Sequence, residues 1–322
     1  MRYPKRLVFL ALLSALTIFL SQCARNQAAS KPRLLSKSEF ADFSEAYSSW
    51  SDRRSSSKTE GLSDEQLEAL ADMFSRLGEY ESSLFNYLQL LKDQPENYHL
   101  MYKIGVIFLL RGQLKAAQKM FAQVLLHQPD MLEAHEALGL INLLSKQYSK
   151  AINEFRLVLD SDSQRQKARY FLGITYLGAG EPRKAISELE AAARFNPDNL
   201  ATIIALGRAH NELKQYQQAI TWLDKGKSLD PKNVKINRQL GIALAGLKRY
   251  REALQAFQQA GDEAQAYNNI GVYYFMDGKY EEAAKCFQLA LELSPTFYDN
   301  AKANLDRALK KLNENKPVPD PT

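Results

Sequence analysis

Residues 166–199 read QKARYFLGITYLGAGEPRKAISELEAAARFNPDN, and the same order of residue types recurs along most of the chain. Within this stretch Ala185 follows Gly173 by twelve residues, and Leu189 follows four residues later. A small residue takes the place of Gly173 in seven stretches, the first six 34 residues apart and the last 30 further on: Ala71, Gly105, Gly139, Gly173, Gly207, Gly241 and Gly271. Self-similarity at a fixed period of this length is the signature of a repeat architecture.

Three further positions recur in register with the small residue. Twelve residues after it stands an alanine, or Ser83 in the first stretch, and four residues later a large side chain. The large side chains are Tyr87, Phe121, Phe155, Leu189, Leu223, Phe257 and Phe287. A proline closes most stretches, at Pro95, Pro129, Pro197, Pro231 and Pro295. Short side chains let two helices cross closely and proline cannot continue a helix, so each stretch is predicted to form helix, turn, helix, with the large residue filling the space between units.

This pattern resembles the tetratricopeptide repeat, and the resemblance covers residues 64–313. It implies an all-α fold, a right-handed α-solenoid of about seven helix-turn-helix units plus a C-terminal capping helix. We place the units at 64–97, 98–131, 132–165, 166–199, 200–233, 234–263 and 264–297, the capping helix at 298–313 and a disordered tail at 314–322. The sixth unit is four residues short, so a tighter connection is expected after Ala260.

One amphipathic helix, residues 36–50, is predicted ahead of the repeats. Ser36 and Glu39 have capping-box spacing. Aromatic residues then recur at helical spacing, at Phe40, Phe43, Tyr47 and Trp50. A tether, 23–35, precedes this helix and a polar linker, 51–63, follows it. Its aromatic face requires burial, so the helix either caps the first repeat or occupies the concave groove until a partner displaces it, and the sequence leaves both possibilities open.

Residues 1–22 have the pattern of a lipoprotein-type signal peptide. A basic start precedes an apolar run of 14 residues, 7–20, which is shorter than the ~20 residues of a membrane span. The following Leu20-Ser21-Gln22-Cys23 resembles the bacterial lipobox, although Gln22 departs from the small residue usual at its position. The resemblance implies lipidation of Cys23 and, because Ala24 rather than Asp follows, an outer-membrane anchor facing the periplasm. An uncleaved anchor and ordinary secretion are the alternatives.

Charge and side-chain chemistry argue against nucleic-acid binding and against catalysis. The net charge of +5 originates in residues 1–58, which hold ten of the 42 Lys and Arg but only four of the 37 acidic residues. A basic balance confined to a signal peptide and a linker does not indicate a nucleic-acid partner. The four histidines lack metal-ligand spacing and no catalytic motif is present. We therefore expect no enzyme, no metal and no cofactor, and we expect Cys286 to be a buried, inert thiol.

The functional surface is predicted to be the concave groove, which the first helix of each unit lines with its second, fifth, sixth, ninth and twelfth residues. In units two to four these positions include apolar and aromatic residues: Tyr102, Leu109, Leu143, Tyr170 and Leu177. In units five to seven they include basic and amide residues: Arg208, Asn211, Arg238, Asn268 and Asn269. A continuous apolar surface usually marks an interaction site, and an amide can both donate to and accept from a peptide backbone. The expected partner is a protein or peptide.

Repeats that follow a lipobox-like start resemble the repeat lipoproteins of bacterial envelope assembly. The tight-adherence (Flp) pilus lipoproteins and the type IV pilus secretin pilotins are similar in this architecture. The resemblance implies a membrane-anchored periplasmic adaptor that recruits an assembly partner such as a secretin subunit. Two other functions stay open: a docking regulator of periplasmic peptidoglycan hydrolases or proteases, and a chaperone-like holder of outer-membrane proteins.

Overall fold

The structure is a computed structural model that describes residues 61–294 and 299–314, so the signal peptide, the tether, the helix at 36–50 and the end of the tail lie outside the described residues. Within these ranges every regular element is an α-helix. The helices are α1 Asp64–Leu77, α2 Tyr80–Asp93, α3 Tyr98–Leu110, α4 Leu114–His127, α5 Leu132–Leu144, α6 Tyr148–Ser161, α7 Gln166–Gly178, α8 Pro182–Phe195, α9 Leu200–Glu212, α10 Tyr216–Leu229, α11 Val234–Gly246, α12 Tyr250–Ala260, α13 Glu263–Met276, α14 Tyr280–Leu293 and α15 Asp299–Glu314.

The helices form two compact parts, one ending at Val158 and the other beginning at Leu159, within α6. In the first part consecutive helices pack against each other from α1 through α5, and in the second part they do so from α7 through α15. Each helix therefore buries its apolar face mainly against its neighbours in sequence, as in a solenoid of stacked hairpins. The predicted all-α repeat fold is confirmed.

The small residue of each repeat lies beneath the large side chain of its own second helix. A Cβ atom added at Gly139 would lie 2.7 Å from the Phe155 ring, and one added at Gly173 would lie 2.6 Å from Leu189 Cγ. Distances below 3.0 Å are too short for real Cβ contacts, so only glycine fits there without movement. The large residue, expected between units, thus packs first on the glycine of its own unit.

The turn between the two helices of a repeat holds one residue in the left-handed region. Glycine takes this place at 78, 112, 180 and 278, with φ between 75° and 78°, and lysine takes it at 146, 214 and 248, with φ between 58° and 61°. The Lys214 N–H donates to Asn211 O, and the next N–H donates to His210 O, both at 2.9 Å, as in a Schellman cap. This cap outweighs the strain of a left-handed lysine, which is about 1–2 kcal/mol.

A polar side chain at the fourth position of three units fixes the connection that precedes it. His135 Nε2 lies 2.9 Å from the carbonyl oxygen of Pro129, and Arg169 Nη2 donates to Ser163 O at 3.1 Å. Asn237 donates in the same way to the carbonyl six residues before it, at 3.1 Å. These bonds satisfy a backbone carbonyl in the turn that follows the preceding helix.

The sixth unit is shortened in its second helix and its closing turn. Helix α12 has 11 residues, whereas α10 and α14 have 14 each. Two residues, Gly261 and Asp262, separate α12 from α13, and the Asp262 side chain caps α13 by accepting from the Gln265 N–H at 2.7 Å. The connection after Ala260 is accordingly short.

Replacing Gly173 by leucine should destabilise the second part, because the new side chain would overlap Leu189. The Ala185 carbonyl oxygen, 3.4 Å from the added Cβ, leaves little room on the other side. Overpacking of this kind typically costs 1–3 kcal/mol, so we expect a lower midpoint in thermal denaturation followed by circular dichroism. The matched control is Ala201→Leu, which adds a similar volume at an exposed position of α9 and should leave the midpoint nearly unchanged. Equal midpoints for the two variants would show that this crossing tolerates a side chain.

Candidate functional site

The inward positions of α3 are shielded from solvent. Tyr102, Val106 and Leu109 are 2%, 2% and 3% exposed, and Leu143 on α5 is half-buried. The rings of Tyr102 and Phe121 lie 5.6 Å apart, so Tyr102 also packs on the second helix of its own repeat. The predicted site residues Tyr102 and Leu109 therefore line an interior surface in this structure.

A half-buried charge network joins the first two repeats beside this surface. Lys103 Nζ donates to Glu68 Oε1 at 2.7 Å and to Asp72 Oδ1 at 2.8 Å, and the Tyr87 hydroxyl donates to the same Asp72 carboxylate. Burial and the neighbouring Asp72 carboxylate raise the pKa of Tyr87, so its hydroxyl remains a donor. These bonds connect α1, α2 and α3, and they occupy the carboxylates of Glu68 and Asp72 on the inward side of the first repeat.

In the second part the predicted apolar residues are only partly accessible. Leu177 on α7 is 3% exposed, and Tyr170 is half-buried. Burial raises the pKa of Tyr170 to about 12, which keeps its hydroxyl protonated. Since Leu177 lies in the interior, Tyr170 is the predicted apolar residue that retains accessible surface on α7.

The polar inward residues of α9 differ in how far they are already bonded. Arg208 is exposed, and its Nε donates to Glu212 Oε1 at 2.8 Å on the same helix. Asn211 is 9% exposed and donates to the backbone oxygen of Gln239 at 2.9 Å and to its side chain at 3.0 Å. Asn211 therefore connects α9 to α11, whereas the guanidinium of Arg208 keeps donors facing solvent.

Near the end of the array the amides bond to the last helix. Asn268, 9% exposed, accepts from Asn304 Nδ2 at 3.0 Å, and Arg307 donates to Asn304 Oδ1 at 2.6 Å. Asn269 and Arg238 are half-buried. The sequence did not predict Asn304, Arg307 or Gln239 as partners of the inward amides. These residues show only helical spacing within α15 and α11, and a linear pattern does not reveal which residues become partners when helices stack.

The described part of the chain contains one cysteine, Cys286. Burial, together with the nearby Glu282 charge, raises the pKa of Cys286 to about 11, so little thiolate forms at neutral pH. Across 61–294 and 299–314, no group of three or more His, Cys, Asp or Glu is placed to hold a metal ion. None of the described helices combines the length and apolarity required to cross a membrane.

Family models match three segments of the chain. Residues 176–232 and 264–297 each match a tetratricopeptide repeat, and residues 65–177 match the TT21 fifth ARM repeats domain. No curated protein matches the chain significantly.

Solved structures show the same architecture. A tetratricopeptide repeat protein from Parabacteroides merdae ATCC 43184 is 17% identical, with 76% of this chain and 98% of the other covered and a TM-score of 0.56. A chain of the APC/C hetero-tetramer Cut9-Hcn1 is 19% identical, and the match covers 76% of this chain and 49% of the other, with a TM-score of 0.57. At these identities the likeness establishes the fold.

The chain is thus an α-solenoid built from stacked helix pairs. Its units include tetratricopeptide repeats, at 176–232 and 264–297. This is the fold of a protein–protein interaction scaffold.

The thiol of Cys286 should react slowly and with a steep pH dependence. Below a pKa of about 11, the alkylation rate follows the thiolate fraction and should rise ~100-fold between pH 8 and pH 10, against ~4-fold for an ordinary thiol of pKa ~8.5. The measurement is iodoacetamide labelling of the Cys23→Ser chain, in which Cys286 is the one remaining cysteine. Denaturant should restore the ordinary profile, and an ordinary profile in the folded chain would refute the burial argument.

Proposed function

We propose that this protein is a membrane-anchored scaffold that holds a protein partner on the inward faces of α7, α9, α11 and α13. The observation that carries the proposal is the accessibility of these faces. Their ninth positions, Ile174, Arg208, Ile242 and Val272, are all half-buried or exposed. A helical-repeat array with an open inner face and no assembled catalytic group is suited to binding an extended peptide or a helix.

The chemistry of this face favours a partner that offers hydrogen-bond acceptors. Arg208 and Arg238 each present a guanidinium group with five N–H donors and no acceptor. Asn269, on α13, adds an amide to this face. Tyr170 supplies an aromatic surface on α7. A partner segment that combines apolar side chains with carboxylates or free backbone carbonyls would match both halves of this face.

The envelope location belongs to the same proposal. Lipidation of Cys23 would attach the chain to the outer membrane, and residues 24–63 would tether the repeats on the periplasmic side. An adaptor for a pilus or secretion assembly, with a secretin subunit as one candidate partner, requires both an anchor and a binding face.

The burial pattern favours such an adaptor over a chaperone-like holder. A holder of unfolded outer-membrane proteins requires a wide, exposed apolar surface. Here Tyr102, Leu109 and Leu177 are each no more than 3% exposed, so the accessible inner surface is narrow and partly polar.

A photo-crosslinking amino acid at Arg208 should capture the partner in intact cells. The same probe at Lys119, an exposed residue on the second helix of its repeat, should capture nothing, since that helix does not line the inner face. Mass spectrometry of the adducts then identifies the protein. Equal capture from both positions, or capture from Lys119 alone, would move the site off the inner face.

The anchor is tested by Cys23→Ser. Because the acyl chains attach through the cysteine sulfur and amino group, the variant should lose labelling by a fatty-acid analogue and either leave the membrane fraction or remain unprocessed. The parent chain, labelled in parallel, is the control. Undiminished labelling in the variant would eliminate the lipoprotein assignment while leaving the binding face untouched.

A further inference from the structure

The second half of helix α3 is buried around its whole circumference, whereas the inward residues His99 and Lys103 in its first half are half-buried. The seven consecutive residues 104–110 are all buried, and seven residues at 3.6 per turn sample every face of a helix. Helices that are apolar on all sides are found inside proteins. The inward face of this half of α3 is therefore shielded along with its other faces.

The ninth position of the repeat shows how unusual this is. Val106 and Leu140, on α3 and α5, are 2% and 5% exposed, whereas the corresponding residues of α7, α9, α11 and α13 are half-buried or exposed. Helix α3 contacts α2, α4 and α5, and it binds α1 through Lys103. Those helices bury the faces of α3 that point away from the groove. The burial of the groove-facing side therefore requires another segment.

The leading face of the first repeat, in contrast, is open. Position ten of the repeat faces the preceding helix pair: Ile107 and Ile141 are 1% and 2% exposed. Met73, the residue at this position in the first unit, is 45% exposed, and Gln66 at position three is also exposed. A helix that capped the first repeat would cover these two residues.

From these two surfaces we infer that residues 36–50 occupy the inner face of α3 as an intramolecular ligand. The inference goes beyond the proposed function, because it assigns an occupant to the inner face of the first part, whereas the proposed partner binds to helices of the second part. Phe40, Phe43, Tyr47 and Trp50 supply the aromatic stripe that the apolar positions Val106 and Leu109 fit.

The connection between the segment and the surface is long enough and of suitable charge. The thirteen residues of the linker 51–63 span up to ~45 Å, while packed helices lie ~8–10 Å apart. The linker contains two basic residues, Arg53 and Arg54, and the inward positions of α5 include the acidic residues Glu133 and Glu136, so their charges are complementary. Tethering raises the local concentration of the segment, which makes it an effective competitor.

The inference is tested by photo-crosslinking from the segment in the full purified chain. A benzophenone amino acid in place of Phe43 should form an intramolecular adduct with residues 99–110, located by mass spectrometry. The matched control places the probe at Glu45, two residues on and therefore on the opposite face of the predicted helix, where this adduct should be much weaker. The array itself is unchanged in both proteins.

Three results would overturn the inference. An adduct with residues 63–77 would mean that the segment caps the first repeat. An adduct between two chains would mean that it binds a second copy, and no adduct would mean that it does not dock. The experiment contains no partner, so any of these leaves capture from Arg208 as an independent test of the proposed function.

A second measurement examines displacement. In the full chain, Phe43→Asp with Tyr47→Asp should release the segment, and a fluorescent peptide of residues 36–50 should then bind the variant about tenfold or more tightly than the parent chain. Far-UV circular dichroism confirms that the variant retains its helices. Equal binding to both chains would show that the surface is not occupied in the parent.

Discussion

The packing of the array depends on the close approach of a large side chain to a glycine within each helix pair. A Cβ at any of the six helical glycines at this position would meet the large residue at 2.5–2.8 Å. Because the contact fixes both the separation and the rotation of the two helices, it determines which residues face the next pair. The first repeat has Ala71 here instead, and its Ser83 hydroxyl donates to the Ala71 carbonyl at 2.8 Å, where other units have alanine. The variation is located in the first of the described repeats.

The backbone of the turns, both within and between helix pairs, obeys the same repeat, and side chains adapt to it. Lys146, Lys214 and Lys248 adopt the left-handed conformation that glycine adopts in the other turns. His135, Arg169 and Asn237 are chemically different, yet all bond to the carbonyl six residues before them. In a stack stabilised by nearest-neighbour contacts, each turn must keep the same backbone geometry, but several residue types can provide it. This explains why the helices repeat regularly while the polar residues of the turns vary.

Much of the fold could be predicted from spacing alone, because the Gly, Ala and large-residue positions follow directly from helix crossing. The site was less predictable. The pattern placed Tyr102, Leu109 and Leu177 on the inner face but could not show that they are shielded, since burial there depends on what lies against the helix. Nor could it show that Asn211 bonds to Gln239 and Asn268 to Asn304. Residues 30 or so apart in sequence become partners only when the stacking angle is known.

The presence of an exposed cation limits what each inner face can accept. Val106 and Leu140 present only apolar surface, so an aromatic helix can cover them and gain roughly 25 cal/mol per Å² buried. Arg208 is harder to cover in that way, because an apolar ligand would withdraw both its guanidinium and the Glu212 carboxylate from water and leave the remaining N–H donors unpaired. An occupant of the second face is therefore favoured when it brings a carboxylate or carbonyl acceptor, whereas the stripe of residues 36–50 is aromatic. The two inner faces consequently select ligands of different chemistry: the apolar face suits a segment of the chain itself, and the basic face suits a partner with acidic or unpaired acceptor groups.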